Sequence, residues 1–349
     1  MTQPLQDLQT EAGAIFINGT PAHFGYDAAV IEAVIEQSAS GKVGLCDRTH
    51  WGRIQITGDD RLRFLHNQTT NDFNILKPGQ GCDTVFVTST GRAIDLATAY
   101  VTEDAVLLLV SPGYNQRLIE WMNRFIFFAD KVELQDVTES TVAFSLLGGG
   151  LMEVLGMEAI AHQPYATHQV MAIGGVEVRV AIGSGLTTPG YTLIAATNDA
   201  AQLWQALTDA GAQPFGTQAW EQLRIQQGRP ASGQELTDAV NPLEAGLWQT
   251  ISLSKGCYIG QETIARLHSY RGVKQQLWGI KMNAAAEPDT VVTDGEEKIG
   301  KLTSFTSTPQ GHFGLAYIRT KAVTPGLKVT IGVAEGELVA VPFVTHEYP

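Results

Sequence analysis

The sequence predicts the α+β class, with two layered α+β units followed by a small C-terminal β-barrel. From residue 53 to 138 the apolar spacing switches between a period of two and helical spacing, in the order β-α-β-β-β-α-β. A similar order returns from residue 142, in pattern rather than in residues. After residue 282 only short β-like runs remain, broken by glycine and proline.

Taken in order, Val30, Ile31, Val34 and Ile35 share one face of a helix over residues 27–38, which Gly41 and Gly44 end. Ile54 and Ile56 then alternate as in a strand, and Gly58-Asp59-Asp60 supplies a turn and an N-cap for a helix carrying Leu62, Phe64 and Leu65. Lys77-Pro78-Gly79 is a turn. Strands are expected at 85–88, 93–101 and 105–110, a helix over 114–127 and a strand near Val132. The second pass has a strand over 142–147, a helix near 152–155, strands at Val170, 176–182 and 191–195, and a helix over 200–210. The stretch 283–289 reads as a linker, and β runs at Val291, Ile299, 313–318 and 327–333 build the barrel. The expected division is therefore 1–47 with 139–282 as one part of the body, 48–138 as its second α+β unit, and 283–349 as the barrel. Two such units would leave a central crevice between their sheets, where small ligands bind.

With 349 residues, 44% of them hydrophobic and 17% charged, the chain has ordinary globular composition. A net charge of −13 argues against direct nucleic-acid or membrane-surface binding, so any anionic ligand must meet a local basic cluster. Cys46, Cys82 and Cys257 are far apart and have no zinc-type spacing, which fits a reducing compartment and no metal site made by this chain alone. The polar start at residues 1–13 and the lack of any long apolar run point to a soluble, cytoplasmic protein.

Chemistry concentrates between Ser254 and Gly272. Gly256 and Gly260 flank Cys257 closely, as where a backbone turns sharply or a ligand approaches, and a helix-favouring run from Gln261 to Tyr270 follows until Gly272. The first-turn amides, with Lys255, should favour thiolate over thiol at Cys257 and so make it a nucleophile, a redox-active thiol or a metal ligand. Arg266 and Tyr270 lie four apart on one helix face, with Arg271 and Lys274 beyond, a basic and aromatic cluster able to hold a carboxylate-bearing ring compound. The plainer reading also stands at this level: a lone cysteine is usually a small buried hydrophobe, and Arg and Tyr on a helix usually cover a solvated face.

Lys255-Gly256-Cys257-Tyr258-Ile259-Gly260-Gln261-Glu262 resembles the KGCYxGQE signature, with Phe or Tyr after the cysteine, of the YgfZ family of iron–sulphur assembly factors. Further matches run through Asp47-Arg48-Thr49, Gly52-Arg53-Ile54, Gly58-Asp59-Asp60, Thr70-Asn71-Asp72, Lys77-Pro78-Gly79-Gln80, Leu223-Arg224-Ile225 and the stretch from Pro242 to Leu247, and these also resemble the aminomethyltransferase of glycine cleavage. The resemblance implies a folate-binding body of two ferredoxin-like α+β units around a central channel, a C-terminal β-barrel, and tetrahydrofolate or a related reduced folate as ligand. It implies iron–sulphur client or assembly proteins as partners. Carried over to this chain, the site would use Cys257, Lys255 and Asp95 for chemistry. Asp95, Arg224, Gln226, Gly256, Tyr258, Gly260, Gln261, Glu262, Arg266, Tyr270 and Arg271 would bind the cofactor.

Two departures qualify this. Where the aminomethyltransferases commonly carry two adjacent acidic residues, this chain has Asp95 followed by Leu96, which cannot exchange a proton; methylene transfer from a lipoyl arm is disfavoured. Gln226 stands where relatives usually have a Glu that receives the pterin's paired N–H donors, and its amide offers one carbonyl oxygen. The expectation is an assembly factor without ordinary turnover. An aminomethyltransferase-like one-carbon transfer enzyme and a non-catalytic folate-binding scaffold are the alternatives. Asp95 could equally be a strand-end residue in water, and Arg224 a helix-surface charge.

Overall fold

The computed structural model describes residues 2–35, 42–148, 150, 155–157 and 159–348. Helix α1 (Gln3–Glu11) and the hairpin β1 (Ile15–Ile17) and β2 (Thr20–His23) precede α2 (Asp27–Ile35) and β3 (Gly44–Asp47). Next come β4 (Gly52–Thr57), α3 (Arg61–Gln68), β5 (Gly81–Val87), β6 (Ala93–Val101), β7 (Ala105–Val110), α4 (Asn115–Asn123) and β8 (Glu133–Asp136), the β-α-β-β-β-α-β order read from the sequence. The second pass holds β9 (Thr141–Leu147), β10 (His168–Ile173), β11 (Val176–Ile182), β12 (Gly190–Ala196), α5 (Ala200–Asp209), β13 (Gln213–Phe215) and α6 (Thr217–Gln227). Helix α7 (Gln261–Ser269) leads into β14 (Gln275–Met282), β15 (Val291–Asp294), β16 (Glu297–Thr308), β17 (Gly311–Arg319), β18 (Lys328–Ile331) and β19 (Ala334–Val339). The end of the expected first helix beyond residue 35, and residues 152–154 of the expected helix near 152–155, lie outside the described residues.

One sheet has the order β10-β11-β12-β9-β3-β13 and a second β5-β6-β7-β4-β8, while β14-β17-β16-β15-β18-β19 close into a barrel. Among the boundaries that differ from the sequence reading, two have a clear physical reason. Helix α4 stops four residues early because Asp130 accepts the Phe127 N–H through its side chain (2.8 Å) and returns its own N–H to the Phe127 carbonyl (2.9 Å), which turns the chain out of the helix. The barrel opens at Gln275 rather than at 283, since β14 is one of its six strands. Trp278, Ile280 and Met282 fill the barrel core while Leu277 joins a different apolar cluster, so the strand is apolar on both faces and reads as part of the body.

The chain condenses into two compact units, one of Met1–Phe64, Asn74–Cys82 and Ala97–Glu221, the other of Leu65–Phe73, Asp83–Leu96 and Gln222–Pro349. In the first, Leu45, Phe144, Leu193 and Trp204 anchor the core between sheet and helices. In the second, Val85, Val87, Leu96, Ile225, Tyr258, Ile264 and Leu277 pack together. The expected split at 48 and 138 does not follow these lines: residues 65–73 and 83–96 condense with the C-terminal part. His66, Asp72 and Asp95 therefore share a unit with Arg224, Gln226 and Cys257.

Candidate functional site

The cysteine loop is built on the C-terminal end of α3. Lys255 is buried, and its Nζ donates to the carbonyls of His66 (2.5 Å) in the last turn of α3 and of Thr69 (2.8 Å) and Asn71 (2.6 Å) just beyond it. The ammonium also sits 4.7 Å from the centre of the Tyr258 ring. Lys255 was expected to act on the thiol; instead it anchors the loop, because a buried ammonium needs acceptors and these carbonyls supply them. Tyr258 was expected to bind cofactor. It lies in the apolar cluster with Leu96 and Ile264, and burial pushes its hydroxyl up to about 12.

Gly260 precedes α7 with φ +78, and a Cβ there would fall 2.6 Å from the Thr88 carbonyl oxygen and 2.9 Å from Gly91 Cα. This glycine permits close backbone packing against the 88–91 turn. Cys257 itself is exposed, whereas Cys46 is buried in β3, with its thiol pushed up by burial and then by Asp47. Cys82, on β5, is half-buried. On the loop and α7, Gly256, Glu262, Arg266, Tyr270 and Arg271 are exposed and Gln261 is half-buried, so the α7 cluster keeps the solvated face that the plainer reading gave it. The Arg271 guanidinium lies 5.5 Å from the Tyr348 ring.

Asp95 sits fully buried within β6 and accepts the Ser232 hydroxyl at 2.5 Å, which removes the reading of a strand-end residue in water. Leu96 packs with Val85, Val87 and Ile225; an acid there would have to enter an apolar core. Arg224, expected to bind cofactor or else to lie on the helix surface, is buried rather than on the surface. It pairs with the fully buried Glu235 at 2.9 Å and also meets Gln234 and Ser304. Glu235 further accepts from Thr303 Oγ1 (2.7 Å) and the Ala231 N–H (3.0 Å), and Tyr317 donates to its backbone carbonyl (2.9 Å). This network ties α6 to the barrel strands β16 and β17. Two positions further along the helix, Gln226 Oε1 is buried with no hydrogen-bond partner among the described residues.

A cavity of about 810 Å³ opens beside the network, where Gln234, Thr303 and Tyr317 meet the cationic side chains Lys298, Lys301 and Arg319. Among the described residues no three His, Cys, Asp or Glu side chains group as metal ligands, and no helix is long and apolar enough to cross a membrane. The sequence reading missed Ser232, Glu235 and the pair His66 and Asp72, whose ring Nδ1 and carboxylate oxygen are 2.9 Å apart. Thr70-Asn71-Asp72 stood out as a motif, but nothing in the spacing linked it to His66 on the preceding helix.

The model of the GCVT N-terminal domain matches residues 10–255. A chloroplastic Arabidopsis thaliana protein provisionally named a transferase is 44% identical, over 99% of this chain and 80% of its own length. An aminomethyltransferase of Geobacillus kaustophilus is 30% identical over 86% of this chain and 87% of its own. Among solved structures, aminomethyltransferase T of the glycine cleavage system from Bartonella henselae superposes with a TM-score of 0.83 at 19% identity, covering 100% of this chain and 99% of that one, a likeness of fold.

Proposed function

The chain belongs to the GCVT N-terminal domain family, and from that premise we propose that it is a YgfZ-like, folate-binding member that acts in iron–sulphur cluster assembly or repair through the thiol of Cys257. One observation carries the reading. Of three cysteines only Cys257 is exposed, on a loop otherwise held by buried contacts, while the position that would serve one-carbon chemistry is a leucine packed in the core. Client iron–sulphur proteins or assembly proteins of a reducing compartment such as the cytoplasm are the partners this implies.

A reduced folate suits the residues present. Gln226 Oε1, without a hydrogen-bond partner among the described residues, is a buried acceptor of the kind a pterin N–H satisfies, and the buried Asp95 carboxylate is a second acceptor in the same unit. When bound, tetrahydrofolate supplies a carrier for a one-carbon unit. Arg224 supports the site from behind by fixing α6, and Ser232 orients Asp95 by donating to it. Cys257 would make a transient bond to an iron–sulphur species or to a partner's sulphur; one thiol supplies only one of the roughly four ligands a cluster takes, so the rest must come from elsewhere.

Calorimetric titration with tetrahydrofolate tests the folate half, and recovery of iron–sulphur enzyme activity in cells lacking the protein tests the thiol half. Saturable binding is expected for the wild type and Cys257→Ala, with affinity at least about tenfold weaker in Gln226→Leu, which leaves the pterin donor without an acceptor. Cys257→Ala should fail to restore the enzymes. Folate binding by none of the three proteins, or full rescue by Cys257→Ala, would overturn the corresponding half. The names of the bacterial relatives favour a second reading, aminomethyltransferase-like transfer, which requires production of 5,10-methylenetetrahydrofolate from an aminomethyl donor.

A further inference from the structure

His66 lies on the last turn of α3 with its side chain more than nine-tenths buried, and its Nδ1 stands 2.9 Å from an Asp72 carboxylate oxygen. A carboxylate beside Nδ1 keeps the ring proton there and leaves Nε2 as the lone-pair nitrogen. Among the described residues Nε2 has no hydrogen-bond partner, and a Cβ built on Gly256 would lie 3.4 Å from it. Glycine at 256 thus leaves the imidazole edge open toward the loop, and the next residue is Cys257.

The loop is pinned to the same helix end on both sides of that cysteine. Before it, Lys255 Nζ donates to the His66 carbonyl at 2.5 Å; after it, the Ile259 N–H donates to the Asn67 carbonyl at 3.0 Å. Burial and the Lys255 ammonium together hold the imidazole below its ordinary value against the pull of Asp72, so at neutral pH the ring is uncharged and able to take a proton.

We propose that Cys257, His66 and Asp72 form a thiol–imidazole–carboxylate triad whose substrate is an external disulfide, carried by a partner protein or by a small thiol. The thiol and Nε2 are not hydrogen-bonded in this structure, so the step begins with the exposed Cys257 side chain turning toward the ring; His66 Nε2 then removes the Cys257 proton, and the sulphur attacks one sulphur of the disulfide. The old S–S bond breaks, a mixed disulfide with Cys257 forms, and the departing thiolate receives the proton from His66. The attacked disulfide is the only oxidant required. His66 and Cys257 are the catalytic residues of this step, and Asp72 is a positioning residue that fixes the ring. The inference rests on the reading of Cys257 as the reacting group and adds its base and its substrate class.

The test follows the reaction of the full-length protein with dithiobis(nitrobenzoate) across pH 5 to 8.5, with the modified cysteine assigned by mass spectrometry. His66→Gln should react at Cys257 about tenfold more slowly at pH 7 and lose the inflection that belongs to the imidazole. Asp72→Asn, which keeps a polar partner at Nδ1, should react at an intermediate rate with a displaced inflection. A structural role alone would leave both pH profiles unchanged in shape. Wild-type rate and profile in a folded His66→Gln, or in Asp72→Asn should the first variant misfold, overturns the triad while leaving the proposed function standing. Failure of Cys257 to react in the wild type at any pH overturns both.

Discussion

The Arg224–Glu235 network and the loop 254–260 lie in the same compact unit, and each buries one cation, but the two cations meet different acceptors. Arg224 faces a carboxylate whose two oxygens also take Thr303, Ser304 and the Ala231 N–H, so the network closes on itself. Lys255 faces three neutral carbonyls at a helix end, and its closure fixes a loop whose next side chains point two ways: Tyr258 into the core and Cys257 to solvent. A closed charge pair makes scaffold. A cation held by backbone carbonyls can instead make a platform, because the chain around it still has side chains to present. Both cations were expected among the site residues, and both are buried and bonded within the fold.

The sharpest way to break this comparison is Glu235→Ala, which strands the buried guanidinium and should cost about 3–5 kcal/mol in urea unfolding. Lys255→Met removes the platform's anchor. With three carbonyls losing their donor it should cost about 2–3 kcal/mol and also raise amide exchange across 254–260, which Glu235→Ala should affect less. Equal exchange in both variants would erase the distinction.

Gly260→Ala forces a side chain into a left-handed position against the Thr88 carbonyl and should cost about 1–2 kcal/mol by thermal unfolding. Acid should separate the regions more gently. The folded state holds His66 below its unfolded value, so the unfolded chain binds its proton first as pH falls. The stability the neutral ring contributes is complete above the ordinary histidine range and is lost as pH drops through the folded value. Protection of the 66–71 amides, corrected for intrinsic exchange, should fall between pH 7 and 5 more than that of 302–305. The smallest stability effect is expected for Cys257→Ala, within about 0.5 kcal/mol, since an exposed thiol contributes little packing. A larger loss would make Cys257 part of the scaffold.

Much of the fold was legible because periodicity is local. The strands over 93–101, 105–110 and 176–182 stand where alternation and β-branched runs put them. The start of the barrel was not, because β14 is apolar on both faces and loses the alternation that marks an exposed strand. The candidate site divides the same way. Gly260 was singled out correctly for its backbone conformation, but the thing that approaches it is the 88–91 turn, which no local pattern contains.

The sequence by itself determined the order of most elements from residue 53 onward, the glycine-flanked Cys257, and the presence of Leu96 after Asp95 and of Gln226 after Arg224-Ile225, because each is written in residue types at fixed spacing. Only the tertiary structure decided that Lys255 and Arg224 are buried and bonded, that Leu96 and Tyr258 belong to one core, and that His66 opens toward the cysteine loop. Those outcomes depend on which segments desolvate one another, across 137 positions of chain in Ser232–Asp95, 189 in Lys255–His66 and 80 in Arg224–Ser304. Burial and pairing at such separations set the energy of every charged group, and no local spacing encodes them.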